Sequence, residues 1–291
     1  MQVLSSHDNR FIQSSLAQSS STDHDHRNHL QSAIRYDLGR LLKKKQFDLN
    51  YTLWQIRVLL TNTKQIYRHA MYRKQTKGQY ARDDPSFLAF SCASVFVCAA
   101  LYCVKYDKRG FWKACWTCLC AVTFDYVGCG CIVATFYWFL ANKYMRASRS
   151  SFEANGSWNR ASVAERERVG ATASSNDKLL RVEWLFAFDV HCNSFVPLFV
   201  SLYVGQLVLS PILAQTGFIA AFLSNLLFAI SLSYYHYCQF VGFNSLPFLE
   251  KTEFMLYPVL VLIASIVPLS IFQFNPTRYV LFWYFGSSAI Q

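Results

Sequence analysis

Asp125 is the one charged side chain in the stretch 114–141. Further along, Asp189, His191 and Asn193 follow one another at intervals of two where another apolar stretch begins. A carboxylate and an imidazole in such surroundings can share a proton, which is the chemistry of a proton-coupled transporter or an intramembrane enzyme using Asp125, Asp189 and His191. They can equally hydrogen-bond between helices and fix a bundle. A carboxylate at the centre of a membrane costs at least ~2.5 kcal/mol on insertion scales and marks a partner or a pathway. Gly128 and Gly130, close to Asp125, would let a neighbouring helix approach closely. Residues two apart fall on different faces of a helix, so Asp189 and His191 are expected to meet different neighbours. His236, flanked by Tyr235 and Tyr237, reads as part of an aromatic belt. The Cys115-x-x-Cys118-x-Cys120 spacing lacks the second Cys/His pair that a closed tetrahedral zinc site needs, and small apolar residues packed between helices give the same pattern. His24, His26 and His29 could hold a metal, but they lie in a polar stretch with little to position them. No Gly-rich phosphate loop, HExxH, GxSxG or repeated CxxC pair occurs. Catalysis, a cofactor and a metal are therefore not expected. The remaining chemistry is electrostatic: Arg73, Lys74, Lys77 and Arg82, interleaved with Tyr72 and Gln75, are candidates for binding a partner or lipid. Cations so placed would also serve simply to hold membrane topology.

The elements that must position these residues are set by composition. Of 291 residues 53% are hydrophobic and only 15% charged, against roughly 25% charged in soluble proteins. With 25 Phe, 17 Tyr and 7 Trp, the chain cannot cover itself with polar surface, which excludes a soluble domain. Collagen, a long coiled coil and a wholly disordered chain are excluded by 11 Gly, 7 Pro and the absence of a heptad run. Stretches 85–104, 114–141, 193–209, 217–238 and 254–274 carry one charge among them, Asp125. About 20 apolar residues cross a bilayer core of roughly 30 Å. Five spans in so short a chain mean an all-α, polytopic membrane protein.

The formal charge of +11 lies in two blocks. Residues 1–84 hold 14 Lys/Arg and 7 Asp/Glu, and residues 142–183 hold 8 and 5. Placing the N-terminus in the cytosol puts 23 Lys/Arg on that side and 5 on the other, the bias that orients membrane proteins. Residues 1–25 contain no apolar core of a cleaved signal, so the first span is expected to direct insertion. None of the ten cysteines falls in an expected lumenal loop, which argues against a disulfide framework. The expected organisation is a disordered polar tail (1–33), basic amphipathic cytosolic helices (34–84), spans 1 and 2 (85–141), a basic cytosolic loop (142–183), spans 3 to 5 (184–274) and a lumenal tail (275–291). In the second region Leu38, Leu41, Leu42, Tyr51, Trp54, Val58, Ile66, Tyr67 and Met71 recur near helical spacing among cations. Such a face either presses into lipid headgroups or packs on the ends of the spans. Asp84 and Pro85 look like the N-cap and first position of span 1.

Tyr72-Arg73-Lys74-Gln75-Thr76-Lys77 followed by Ala81-Arg82-Asp83-Asp84-Pro85 resembles a signature of the UNC-fifty family of Golgi multi-pass proteins. Asn142-Lys143-Tyr144, Val182-Glu183-Trp184, Ala187-Phe188-Asp189-Val190-His191 with Asn193, and Leu246-Pro247-Phe248-Leu249 agree with it in the family's order. The likeness covers about residues 35–274 and omits the polar tail and an expanded 147–178 loop. It implies a non-catalytic protein of the Golgi membrane, with the nuclear inner membrane or endoplasmic reticulum as alternatives. It further implies a role in membrane traffic and in surface delivery of receptors, including the nicotinic acetylcholine type. A large Arf-type guanine-nucleotide exchange factor is the implied partner. RNA binding is a secondary implication: phosphate contacts by Lys/Arg are sequence-independent, and no RRM or KH signature accompanies these.

Overall fold

The computed structural model describes residues 49–77, 79–82, 85–106, 110–146 and 181–287, which fold within one compact unit, Leu49–Gln291. The polar tail, the His24/His26/His29 group, the cap at Asp84 and most of the 142–183 loop lie outside the described residues. Among the described residues the chain is helical, without strands. Helices α1 (Leu49–Thr61) and α2 (Thr63–Lys77) precede five long ones: α3 (Ser86–Tyr106), α4 (Phe111–Tyr144), α5 (Trp184–Leu213), α6 (Phe218–Asn244) and α7 (Thr252–Ile271). A short α8 (Pro276–Phe285) ends the fold.

Helices α3 to α7 are each long and apolar enough to cross a membrane, and they coincide with the five expected spans. Only 11% to 39% of each apolar window is buried within the protein. The outward surface is apolar, as hydrocarbon lipid demands. Trp112, Trp283, Phe111 and Phe272 remain 74% to 83% exposed. Helix α4 has 34 residues, a length of about 51 Å at 1.5 Å per residue, well beyond a ~30 Å core. The ends of α4, α5 and α6 pack with α2, Tyr80 and the residues after α6 into a core containing Tyr67, Tyr80, Tyr137, Phe186, Val190, Phe243, Leu246 and Phe248.

The break between α1 and α2 falls at Asn62, where the chain turns through a Gln65 N–H to Asn62 carbonyl bond of 3.0 Å. One face of the pair packs on the spans through Leu59, Ile66, Tyr67 and Ala70, all buried. Leu53 and Leu60 stay 52% and 40% exposed on the other. Of the two outcomes expected of an amphipathic segment, packing on the spans occurs on one face, while apolar residues of the opposite face remain exposed.

Two spans contain wide, π-helical turns, Ala121–Gly128 in α4 and Phe199–Val204 in α5. Pro197 withdraws one backbone donor just ahead of the second. The Ser201 hydroxyl donates to the Pro197 carbonyl at 2.7 Å.

The 275–291 segment, read from sequence as a tail, holds α8. Gln273, at φ 54°, adopts the left-handed conformation that ends α7 and reverses the chain. Asn275 caps α8 by accepting from the Arg278 N–H at 3.1 Å and ties it to α5 by donating to the Leu213 carbonyl at 2.7 Å. Leu281 and Phe285 then bury against Cys103 and Cys118. Ten residues are half the length needed to cross a bilayer, so a hydropathy reading passes over such a helix.

Candidate functional site

Helix α2 and the extended residues after it carry most of the basic candidates towards α5. Arg82 Nε lies 2.8 Å from Asp189 Oδ1, and Arg73 Nη2 lies 3.7 Å from Asp189 Oδ2. The Arg82 side chain is only 6% exposed; it also donates to Gln55 Oε1 of α1 at 2.7 Å and lies over the Phe87 ring at 4.0 Å. Lys74 Nζ donates to Glu183 Oε1 at 2.9 Å, and the Tyr80 N–H donates to Glu183 Oε2 at 3.3 Å. Arg73 Nη2 donates to the Tyr80 carbonyl at 3.2 Å. Two carboxylates at the entry of α5 thus hold three cations and a backbone N–H, joining α1, α2, the 79–82 segment and α5. Arg73, Lys74 and Arg82, read from sequence as partner or lipid ligands, are engaged inside the molecule. Tyr72 is 64% exposed, and the side chains of Gln75 and Lys77 lie outside the described residues.

The other sequence blocks meet at the same place. Asn142 Nδ2 donates to the Val182 carbonyl at 3.1 Å and Asn142 Oδ1 accepts from the Val182 N–H at 2.9 Å, a reciprocal pair bracketing the basic loop. The Tyr80 ring sits 5.6 Å from Phe186 and 6.3 Å from Phe248. The Glu250 N–H donates to the Met145 carbonyl at 2.8 Å. Blocks separated by up to 170 residues or so in the chain therefore form one knot at the α1–α2 end of the bundle.

Deeper, a polar ladder crosses from α5 to α6. Gln239 Nε2 donates to Tyr235 Oη at 2.9 Å, and Tyr235 Oη lies 2.8 Å from His191 Nδ1. Tyr235 Oη thus sits between the Gln239 amide and the His191 ring, linking the two helices. Nε2 faces Gly130 of α4: a Cβ there would lie 2.5 Å from both Nε2 and Cδ2. Asn193, 1% exposed, stands beside the buried Tyr67 hydroxyl, which donates to the Cys238 carbonyl at 3.5 Å. Burial, reinforced by neighbouring Cys238 and Asp189, raises the Tyr67 pKa well above the usual phenol value and keeps it a donor. Gly242 permits this contact, since a Cβ would come within 2.7 Å of Val190 and 2.9 Å of Tyr67. His236 is not left at a bare interface; its Nδ1 pairs with Tyr137 Oη at 2.8 Å.

Asp125 closes on a different partner, accepting from Tyr284 Oη of α8 at 2.6 Å. The structure separates the three groups of a transporter-like relay, with Asp125 on Tyr284, His191 on Tyr235 and Asp189 on Arg82 and Arg73. Asp189 and His191 take opposite sides of α5, as a two-residue interval requires. Sequence reasoning missed Gln55, Gln239 and Tyr284, and read Tyr235 only as part of an aromatic belt. Gln239, an amide four residues from Tyr235 in an apolar helix, was a visible signal; Tyr284 had none. All ten cysteines are unpaired, and among the described residues no group of three His, Cys, Asp or Glu could hold a metal.

Residues 38–285 match the profile of the UNC-50 family. The chain is similar to the Dictyostelium discoideum protein unc-50 homolog, 35% identical over 85% of each chain. It is 34% identical to the Schizosaccharomyces pombe protein GMH1 homolog, over 86% of this chain and 96% of that one. It is 35% identical to the human protein unc-50 homolog over 79% of each. No solved structure matches.

Proposed function

Because the chain belongs to the UNC-50 family, we propose that it is a non-catalytic Golgi membrane protein of vesicle traffic. Its α1–α2 end faces the cytosol and recruits a large Arf-type exchange factor, and through that recruitment it supports surface delivery of receptors such as the nicotinic acetylcholine type. The observation that carries the reading is the convergence of all five resemblance blocks on one knot at that end. The 23-to-5 cationic bias supports the same orientation.

The knot engages Arg73, Lys74 and Arg82, so the partner reads the next stripe of α2. Lys64, Arg68 and Tyr72 follow at intervals of four on one helical face, and all three are exposed. Lys64 and Arg68 also border a depression with Tyr237 and Asn244. Substituting Lys64→Ser, Arg68→Ser and Tyr72→Ala together is expected to leave abundance unchanged and to reduce recruitment of the exchange factor to Golgi membranes, measured by imaging. Tyr72→Ala alone keeps every charge. It should weaken a protein partner but leave headgroup attraction intact, because a screened field reads charge rather than shape. Undiminished recruitment by the triple variant would refute the reading.

A further inference from the structure

A cavity of about 320 Å³ lies among α3, α4, α5, α6 and α8, within the size range of small-ligand sites. Its walls are mainly apolar and aromatic, with Tyr102, Tyr203 and Phe228 prominent. Both wide turns face it: Asp125 comes from the first, Tyr203 from the second. A π turn sacrifices regular hydrogen bonding and is found mostly where a helix serves a site. Here the two occur on different spans and open towards the same space.

Asp125, Gln206 and Thr117 reach this wall besides the tyrosines. Asp125 presents a carboxylate of which Oδ2 is held by Tyr284. Gln206 is 5% exposed, and among the described residues its Nε2 has no hydrogen-bond partner. Leaving a buried amide donor unmade costs about 1–3 kcal/mol, and the hydrocarbon of a bilayer supplies no water to satisfy it. The wall thus offers an apolar slot with an anionic acceptor and an unfilled neutral donor. No Lys, Arg or His lines it, so a phosphate-bearing head would meet the Asp125 carboxylate without compensation. Cys129, also on the wall, is exposed at the surface of the protein.

We propose that this cavity binds a membrane lipid with one apolar chain and an amino-alcohol head, its ammonium on Asp125 and its hydroxyl oxygen accepting from Gln206 Nε2. An ammonium matches a carboxylate in a low-dielectric slot, and a hydroxyl beside it supplies the acceptor that Gln206 lacks. A lipid bearing only a hydroxyl satisfies Gln206 but leaves Asp125 without a counter-charge.

The test uses the full chain in phosphatidylcholine nanodiscs with a photoactivatable sphingosine, alongside matched diacylglycerol and phosphatidic acid probes. Sphingosine should label peptides containing residues 117–129 and 202–206, and unlabelled sphingosine should displace it. Asp125→Asn keeps a hydrogen-bonding group towards Tyr284 and removes the charge; it should weaken binding about tenfold. Gln206→Met retains volume and should weaken binding several-fold, so the idea remains testable if the Asp125 variant does not fold. Equal labelling by diacylglycerol, labelling outside these peptides, or unchanged affinity in both variants would overturn the proposal.

Discussion

At the scale of single residues, the Asp189 carboxylate carries the heaviest structural duty. Its side chain is 11% exposed and faces two guanidinium groups, one of them almost wholly buried. Removing one member of a buried ion pair leaves its partners uncompensated and costs about 3–5 kcal/mol. Asp189→Ala is therefore expected to lower the thermal midpoint of the detergent-purified protein sharply. Arg82→Lys should cost less, since charge is kept while the Gln55 bond and the stacking over Phe87 are weakened. The contact of Gly130 with His191 makes a second residue-scale case. Gly130→Ala forces a methyl into a 2.5 Å gap and should destabilise by about 1–3 kcal/mol, as overpacking does. His191→Ala empties that space, so the double variant should be more stable than the two single effects added together. Simple additivity in unfolding measurements would show that the glycine matters for some other reason.

At the scale of elements, α8 is the piece whose contribution can be isolated. It covers Cys103 and Cys118, which are 5% and 3% exposed, and its Tyr284 holds Asp125. Ending the chain after Asn275 should speed alkylation of Cys103 and Cys118 selectively, read by mass spectrometry peptide by peptide. Unchanged reactivity at both would mean that α8 is not packed on the bundle. Asn275→Ala is a milder version: loss of an N-cap costs about 1 kcal/mol. It should loosen α8 while leaving α3 to α7 in place, because their contacts with one another do not depend on this residue. Tyr284→Phe tests the other attachment, removing the hydroxyl from Asp125 and keeping the ring.

At the scale of the whole molecule, orientation can be tested by glycosylation. Two acceptor sequons exist, at Asn50 and Asn155. The first lies in α1, and its Thr52 is 0% exposed, so folding blocks it on either side of the membrane. Asn155, outside the described residues, is the informative one. With the α1–α2 end in the cytosol it should carry no glycan, and glycosidase treatment should leave mobility unchanged. A shift abolished by Asn155→Gln would invert the orientation.

The five spans were legible because bilayer thickness imposes a length and a hydropathy that are local properties of sequence. The resemblance blocks were legible too, as was the separation of Asp189 from His191, which follows from helical periodicity alone. Other matters depended on groups far apart in the chain, and no local pattern encodes them. Arg73, Lys74 and Arg82 look like any basic juxtamembrane run until α5 brings Asp189 and Glu183 against them. Asp125 and His191 could have formed a relay in sequence terms. Only the fold of α8 assigns Tyr284 to one, and only the register of α6 against α5 assigns Tyr235 to the other. Helix α8 itself escaped notice because a helix of ten residues satisfies no membrane-crossing rule. Its place comes from the turn at Gln273 and the cap at Asn275, which direct it back onto surface that α3 and α4 leave uncovered. Sequence decided which segments are apolar; tertiary structure decided which polar group each of them answers, because a hydrogen bond is a matter of distance in space and hydropathy is not.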